Sequence, residues 1–486
     1  MQLGSPHIEV GRLAHPSGGE RCALILPCKG FAANSLDFAF MPKAIAENLV
    51  VDPELSVISS DDPKGRSVEG PTRGVLNPVY TKDTKLDFHL SFGWRHSAPF
   101  SGAVELVITH AFGQEHFRIV QELKMLCPGN DGTIRVSFHP GFSLPGVSDV
   151  SVRLMDEEGR QIWMDGYRMA YAIEETPPVL RAPADLREFW DQTLEELRAI
   201  PLMPKVERKF EDCESHEIFE VTYNSWGAKR IYAMMFVPKN QPRPLPALVT
   251  AHPNIKGYGV SLESGESYGT RVSCDTRFVT LVPLIRGHAP DALDIPMTHR
   301  WWGPLNSRED FVGRDWYCAL ARAVDYLESR SDLVDMKRVL SSGGSFGGAL
   351  ALALAALDPR VSYCMSDCPS CSRPGELSLP GDEWIPLSEV APGKTMEQVK
   401  GIFSYYNTIN LCPWIRCPTL IGANIGDLTV HSMNAILAYR NLTGLSPDQK
   451  EFCPGFTTQH GSGPGYRQRH ASIMHEVAEG VKERGR

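Results

Sequence analysis

Arg338-Val339-Leu340-Ser341-Ser342-Gly343-Gly344-Ser345-Phe346-Gly347-Gly348-Ala349-Leu350 decides the reading of this chain. It opens as a short apolar run, passes through paired glycines, and continues into Ala- and Leu-rich helix formers as far as Leu357. Strand, sharp turn and helix are therefore expected in that order. Gly343-Gly344-Ser345-Phe346-Gly347 matches G-x-S-x-G, and its glycines let the backbone turn tightly enough to hold Ser345 strained at the head of a helix. The hydroxyl is then exposed to a substrate. The helix start also sets the Phe346 backbone N–H beside Ser345, where it can meet a developing oxyanion. The bare motif recurs by chance; the strand–turn–helix setting makes Ser345 a candidate nucleophile.

A serine at its ordinary pKa is a poor nucleophile, so a base and an orienting carboxylate should follow in the order Ser, Asp or Glu, His. Cys417 to Ala423 reads as a buried strand, and Asp427 lies just past its C-terminal end, where open α/β sheets collect functional side chains. Asp427 is the candidate acid; the competing role is capping a helix that begins near His431. The last strand is expected over Lys450 to Cys453, and the loop after it presents His460, the candidate base. His470 and His475 fall on the terminal helix and are placed on its solvated face. Leu248 to Asn254 forms an earlier strand and turn, and the Asn254 backbone N–H is the candidate second oxyanion donor. His252 in the same turn is read as structural. Arg286 ends another buried strand and either ties loops together or meets substrate. Trp301-Trp302 could pack a sugar face or plug an interface.

Around these residues the periodicity changes once. From about Asp83 to Ala172 short alternating runs such as Leu86 to Leu90 and Thr133 to Phe138 are separated by turn signals at Pro128 to Gly132 and Asp156 to Gly159, the pattern of an antiparallel sandwich. Before residue 80 only Cys22 to Leu26 looks strand-like. Closely spaced prolines from Glu174 to Pro183 then break the pattern. Beyond them a helical stripe from Ala184 to Arg198 leads into near-continuous apolar runs at Ile231 to Val237, Ala247 to Thr250, Phe278 to Ile285 and Thr419 to Ala423, alternating with helices at Tyr317 to Ser329 and Ala349 to Leu357. This predicts an α/β fold with a mostly parallel sheet. The division expected is a β-sandwich over 1–175, a linker over 176–183 and a catalytic domain over 184–486.

With 486 residues the chain exceeds what one core usually organises. Its 42% apolar and 22% charged residues are those of an ordinary globular protein, and no stretch approaches the roughly 18 apolar residues of a membrane span. A net charge of -9 with dispersed Lys and Arg argues against nucleic-acid binding. The N-terminus lacks the features of a secretory signal, so a cytoplasmic location is expected. Twelve scattered cysteines fit reduced thiols. Cys364, Cys368 and Cys371 have a spacing that radical enzymes use for an iron–sulfur cluster, but they follow a Ser-centred turn and helix and are read as buried or loop thiols.

From Pro183 almost to the C-terminus the chain resembles the acetyl xylan esterase and cephalosporin C deacetylase family, carbohydrate esterase family seven, of α/β-hydrolases. The resemblance rests on Phe189-Trp190, on His252-Pro253-Asn254 where the family has His-Gly-Tyr, and on Arg286-Gly287-His288 where it has Arg-Gly-Gln. Further on it rests on Gly343 to Gly348, with Phe346 in place of Gln, and on Asp358-Pro359-Arg360-Val361. It implies an α/β-hydrolase fold with a triad of Ser345, Asp427 and His460, no metal or organic cofactor, and acetyl groups on small carbohydrates as substrate. It also implies oligomers, which compact members often form. Phe346, His288 and Asn254 depart from the family and alter the site wall; Phe346 is expected to narrow the acyl side. The family's His-Glu pair becomes His460-Gly461. The N-terminal part resembles an appended immunoglobulin-like domain. A prolyl-oligopeptidase-like peptidase and a non-catalytic carbohydrate-binding protein are the alternatives.

Overall fold

The computed structural model describes residues 54–59, 79–82, 86–93, 99–127, 133–141, 144–209, 215–251, 275–285, 303, 305–370, 388 and 391–480. Its first strands are β1 (Glu54–Ser59), β2 (Val79–Tyr80), β3 (Leu86–Gly93), β4 (Phe100–His110), β5 (Glu115–Leu126), β6 (Thr133–Phe138), β7 (Gly146–Asp156) and β8 (Gln161–Tyr171). They form two sheets, β1-β3-β6 and β2-β8-β7-β4-β5, antiparallel except for the parallel pairing of β2 with β8. Period-two alternation buries Leu86, Phe88, Leu90 and Phe92 in one sheet and Val150, Val152 and Leu154 in the other. The rings of Phe92 and Phe100, 5.2 Å apart, touch between the sheets. The strand-like run Cys22 to Leu26 lies outside the described residues, and β1 was not legible in the sequence.

The rest of the chain follows as α1 (Leu186–Ala199), β9 (Lys205–Lys209), β10 (His216–Asn224), β11 (Arg230–Pro238), β12 (Leu245–Ala251), β13 (Val279–Leu284) and α2 (Gly313–Glu328). After these come β14 (Val334–Gly344), α3 (Phe346–Leu357), β15 (Val361–Asp367), α4 (Met396–Phe403), β16 (Thr419–Asn424), α5 (Met433–Arg440), β17 (Lys450–Gly455) and α6 (Pro464–Ala478). One nine-stranded sheet runs β17-β16-β15-β14-β12-β13-β11-β10-β9. The strands from β13 through β12 to β17 pair in parallel, and β11, β10 and β9 extend the sheet antiparallel. The strand β15 was missed in the sequence, because Val361-Ser362-Tyr363-Cys364-Met365-Ser366-Asp367 mixes small polar residues into the apolar run that a buried strand usually shows.

Helix α1 shows why sequence pattern becomes packing here. Leu186, Phe189, Trp190, Leu194 and Leu197 repeat on one face and are buried. The Trp190 indole donates to Tyr405 O at 2.9 Å and its ring stacks on Tyr317 at 5.3 Å, so the Phe189-Trp190 pair is an anchor of the core. The proline-rich stretch is also held down: Arg440 Nε donates to Thr176 O at 2.8 Å, and the Arg181 N–H donates to Asn410 Oδ1 at 3.1 Å. Among the described residues no helix is long and apolar enough to cross a membrane.

Candidate active site

Strand β14 ends at Gly344, and Ser345 stands between it and α3 with φ 57° and ψ -124°. For a residue with a side chain this conformation costs on the order of 1–3 kcal/mol and persists only where the surroundings impose it. They do so through the backbone. The Ser345 N–H donates to Asp367 O at 2.9 Å, and Ser345 O accepts from the N–H groups of Gly348, Ala349 and Ser370 at 3.0, 3.2 and 3.1 Å. A Cβ on Gly343 would lie 2.3 Å from Gly347 O, and one on Gly348 would lie 2.7 Å from Asp367 O. These two glycines therefore serve close backbone approach. The first N–H groups that the α3 ladder takes up are those of Gly348 and Ala349, and the Phe346 N–H precedes them at the helix head.

The Phe346 side chain points into the protein. Its ring is buried, edge-on to Trp316 of α2 with centroids 5.0 Å apart. It packs in the hydrophobic core.

Asp427 follows β16 and His460 follows β17, and the parallel pairing of these strands brings the two loops together. His460 Nδ1 and Asp427 Oδ2 are 2.8 Å apart. Oδ2 also accepts the Gly461 N–H at 3.3 Å, while Oδ1 accepts the N–H groups of Thr429 and Val430 at 2.8 and 3.0 Å. The capping role and the partnership with His460 thus coexist on one carboxylate, although α5 starts only at Met433. Asp427 is buried. The hydrogen bond to its carboxylate raises the His460 pKa above the ordinary value; burial opposes this, and the charges of Asp427 and Asp367 add to it. Nε2 is left as the nitrogen that can take a proton from a hydroxyl.

Between the strained serine and this pair sit two residues whose place the sequence did not disclose. Asp367 ends β15, its carbonyl holds the Ser345 N–H, and its Oδ1 accepts from Ser462 Oγ on the His460 loop. Burial raises its pKa, against hydrogen bonds from Ser462 and Cys368 that lower it. Cys368 is buried at φ 38°, and burial pushes its thiol pKa up. Its sulfur, a carboxylate oxygen of Asp427 and a ring nitrogen of His460 lie within 4.8 Å of one another, the one trio among the described residues that could hold a metal ion together. Asp427 and His460 already satisfy each other, and a thiol held protonated is a weak ligand. Cys364 is buried within β15 with its pKa pushed up to about 12. Cys371 lies outside the described residues.

His470 departs from its expected place. Its Nε2 lies 3.3 Å from Ser342 Oγ on β14, and burial lowers its pKa. The signal was available: Tyr466, His470, Ile473 and Met474 recur at helical spacing, and all but the histidine are buried apolar residues. His475 is exposed and meets Arg277 Nη1 at 3.0 Å. Asn254, His252, Arg286, His288, Trp301 and Trp302 lie outside the described residues.

A mostly parallel sheet with a strained serine between strand and helix, and a paired Asp and His on the loops after the next strands, defines an α/β-hydrolase. Solved structures with this fold include the acetyl xylan esterase from Paenibacillus sp. R4, at TM-score 0.50 and 24% identity over 63% of this chain and 98% of that one. Acetyl xylan esterase 1 from Thermoanaerobacterium sp. JW/SL YS485 is alike at TM-score 0.51 and 20% identity, over 64% of this chain and 98% of that one. The chain belongs to the acetyl xylan esterase (AXE1) family, whose model matches residues 171–470. It is also similar to acetyl esterase Axe7A of Xylanibacter ruminicola, 27% identical over 275 residues, which are 54% of this chain and 60% of that protein's length.

Proposed function

We propose that the chain is a serine esterase that removes acetyl groups from small acetylated carbohydrates. Ser345 is the nucleophile, His460 the base and Asp427 the carboxylate that orients it. The observation that carries this reading is the 2.8 Å bond between His460 Nδ1 and Asp427 Oδ2, which fixes the imidazole tautomer with Nε2 as acceptor. His460 takes the Ser345 proton as Oγ attacks the ester carbonyl. The Phe346 N–H, with a second donor assigned to Asn254, stabilises the oxyanion. The tetrahedral intermediate collapses when His460 returns the proton to the leaving alcohol. Water, deprotonated by the same imidazole, then attacks the acetyl-enzyme, and acetate leaves as Ser345 recovers its proton. Every proton passes through one base, so no metal or organic cofactor is required. Membership of the acetyl xylan esterase (AXE1) family supports the acetyl and carbohydrate assignments.

Purified protein screened against nitrophenyl acetate to octanoate, acetylated sugars and aminoacyl nitroanilides tests this. Acetyl esters are expected to turn over best, and Ser345→Ala should remove that activity. Nitroanilide cleavage in preference to acetyl esters would replace the esterase by a peptidase.

A further inference from the structure

The N-terminal sheets are joined to the site at one charged group. Arg168 on β8 faces Asp149 on β7 as a direct cross-strand neighbour. Its Nε donates to Asp149 Oδ1 at 2.7 Å and its Nη2 reaches Oδ2 at 3.4 Å, a fork that fixes the plane of the guanidinium. The third nitrogen, Nη1, donates to the backbone carbonyl of Asp427 at 2.8 Å. The Arg168 side chain is only 14% exposed, against 52% for Asp149, so its reach is directed inward.

The surroundings leave that reach little freedom. Beside Arg168, His431 is buried and its pKa is lowered, by burial first and then by the charges of Arg168 and His110. Its Nδ1 accepts the Met433 N–H at 3.1 Å, at the start of α5. Opposite, a Cβ on Gly146 at the head of β7 would come within 2.8 Å of His110 Nε2 and 3.1 Å of Met433 Cε. The head of β7 is thus packed closely against Met433 at the start of α5. With Arg168 in place, Asp427 is held on every side: its N–H by Asn424 O at 3.2 Å, both carboxylate oxygens by loop donors and His460, and its carbonyl by the arginine. Of these partners only the arginine lies outside the stretch 171–470 that the family model matches, just ahead of its start.

We infer that Arg168 is a positioning residue for the Asp427–His460 pair, so that the N-terminal sheets complete the catalytic apparatus rather than merely adjoin it. The inference rests on the esterase reading above for its kinetic consequence. Arg168 touches no reacting atom; it acts by fixing the carbonyl, and with it the carboxylate, of the residue that orients the base. A displacement of about 1 Å far from the chemistry can cost about 100-fold in rate, so a modest shift of this loop is enough to matter.

The test measures ester turnover and the ring titration of His460 by NMR on the full chain, for the unaltered protein, Arg168→Met, Asp149→Asn, Asp427→Asn and the double variant Arg168→Met/Asp427→Asn. Arg168→Met is expected to lose roughly tenfold or more in kcat with KM within about twofold, because binding is untouched while orientation is lost. The His460 titration should fall from its raised position toward the ordinary value, since Asp427, and not Asp367 or Cys368 alongside, supplies the main stabilisation of the charged ring. Asp149→Asn should move both readouts the same way by less, and Arg168→Met should add nothing once Asp427→Asn is present. A folded Arg168→Met with unaltered kcat and titration would overturn the inference, as would an undiminished loss in the double variant. Should Arg168→Met not fold, Asp149→Asn decides by the same two readouts. The titration needs no turnover: a chain that cleaves no acetyl ester but whose His460 responds to Arg168 sinks the esterase reading and leaves the positioning role standing.

Discussion

The loop after β17 and the helix that follows it each bring an imidazole to the residues around the elbow, and the two rings end in opposite states. His460 is exposed and bonded to a buried carboxylate, which raises its pKa; His470 is bonded to a neutral hydroxyl and burial lowers its pKa. Desolvation acts on both in the same direction. A partner that is itself charged reverses it, so proximity to the nucleophile does not single out the base; the second atom behind the ring does.

The largest test of this contrast is kinetic. His460→Ala should cost as much as Ser345→Ala, on the order of 10⁴-fold or more in kcat, because the two act as one unit. His470→Ala should leave kcat near that of the unaltered protein and instead lower stability by about 1–3 kcal/mol, the penalty for stripping the buried Ser342 hydroxyl of its partner. The reverse ranking would move the base onto α6. Phe346→Ala sharpens the same division between chemistry and scaffold. It should cost about 3–5 kcal/mol in urea unfolding through the cavity left against Trp316, with the acyl-chain preference unmoved. A widened acyl range without loss of stability would restore the ring to the pocket.

Smaller effects follow from pH, with opposite signs. The folded-state pKa of His460 lies above the ordinary 6.5, so its stabilising contribution is complete below that value and is lost as pH rises through the folded pKa. His470 lies below 6.5, so its contribution is present above that value and is lost as pH falls through its lowered pKa. Unfolding free energies of His460→Ala and His470→Ala relative to the unaltered protein, measured across pH 4 to 9, should therefore diverge in opposite directions. The midpoint of the acid limb of kcat/KM should lie above pH 6.5, with activity rising as the His460 ring loses its proton, because catalysis needs that ring neutral. Parallel pH trends for the two variants would break the comparison. The smallest effect belongs to His475→Ala, whose exposed ring should leave activity unchanged and stability within about 0.5 kcal/mol.

Local chemistry made part of this legible. The elbow announces itself because strand, glycines and helix formers are consecutive, and Asp427 and His460 follow because each lies just past a strand that the sequence shows. Asp367 stayed hidden with the strand that carries it, since Ser362, Ser366 and Asp367 dilute the apolar run of β15. Arg168 carries no local signal at all: its partner Asp427 is 259 residues away, and the contact exists only once two sheets have packed. The orientation of Phe346 was likewise a tertiary matter, settled by where Trp316 stands on α2.

Gly461 carries a different kind of consequence. It stands at φ 112°, a backbone conformation that residues with side chains rarely adopt, and its N–H is one of the donors to Asp427. A glutamate at 461, where the resembling family has one after its histidine, would have to be held in that conformation at a cost on the order of 1–3 kcal/mol, or turn the backbone over and withdraw that donor from Asp427.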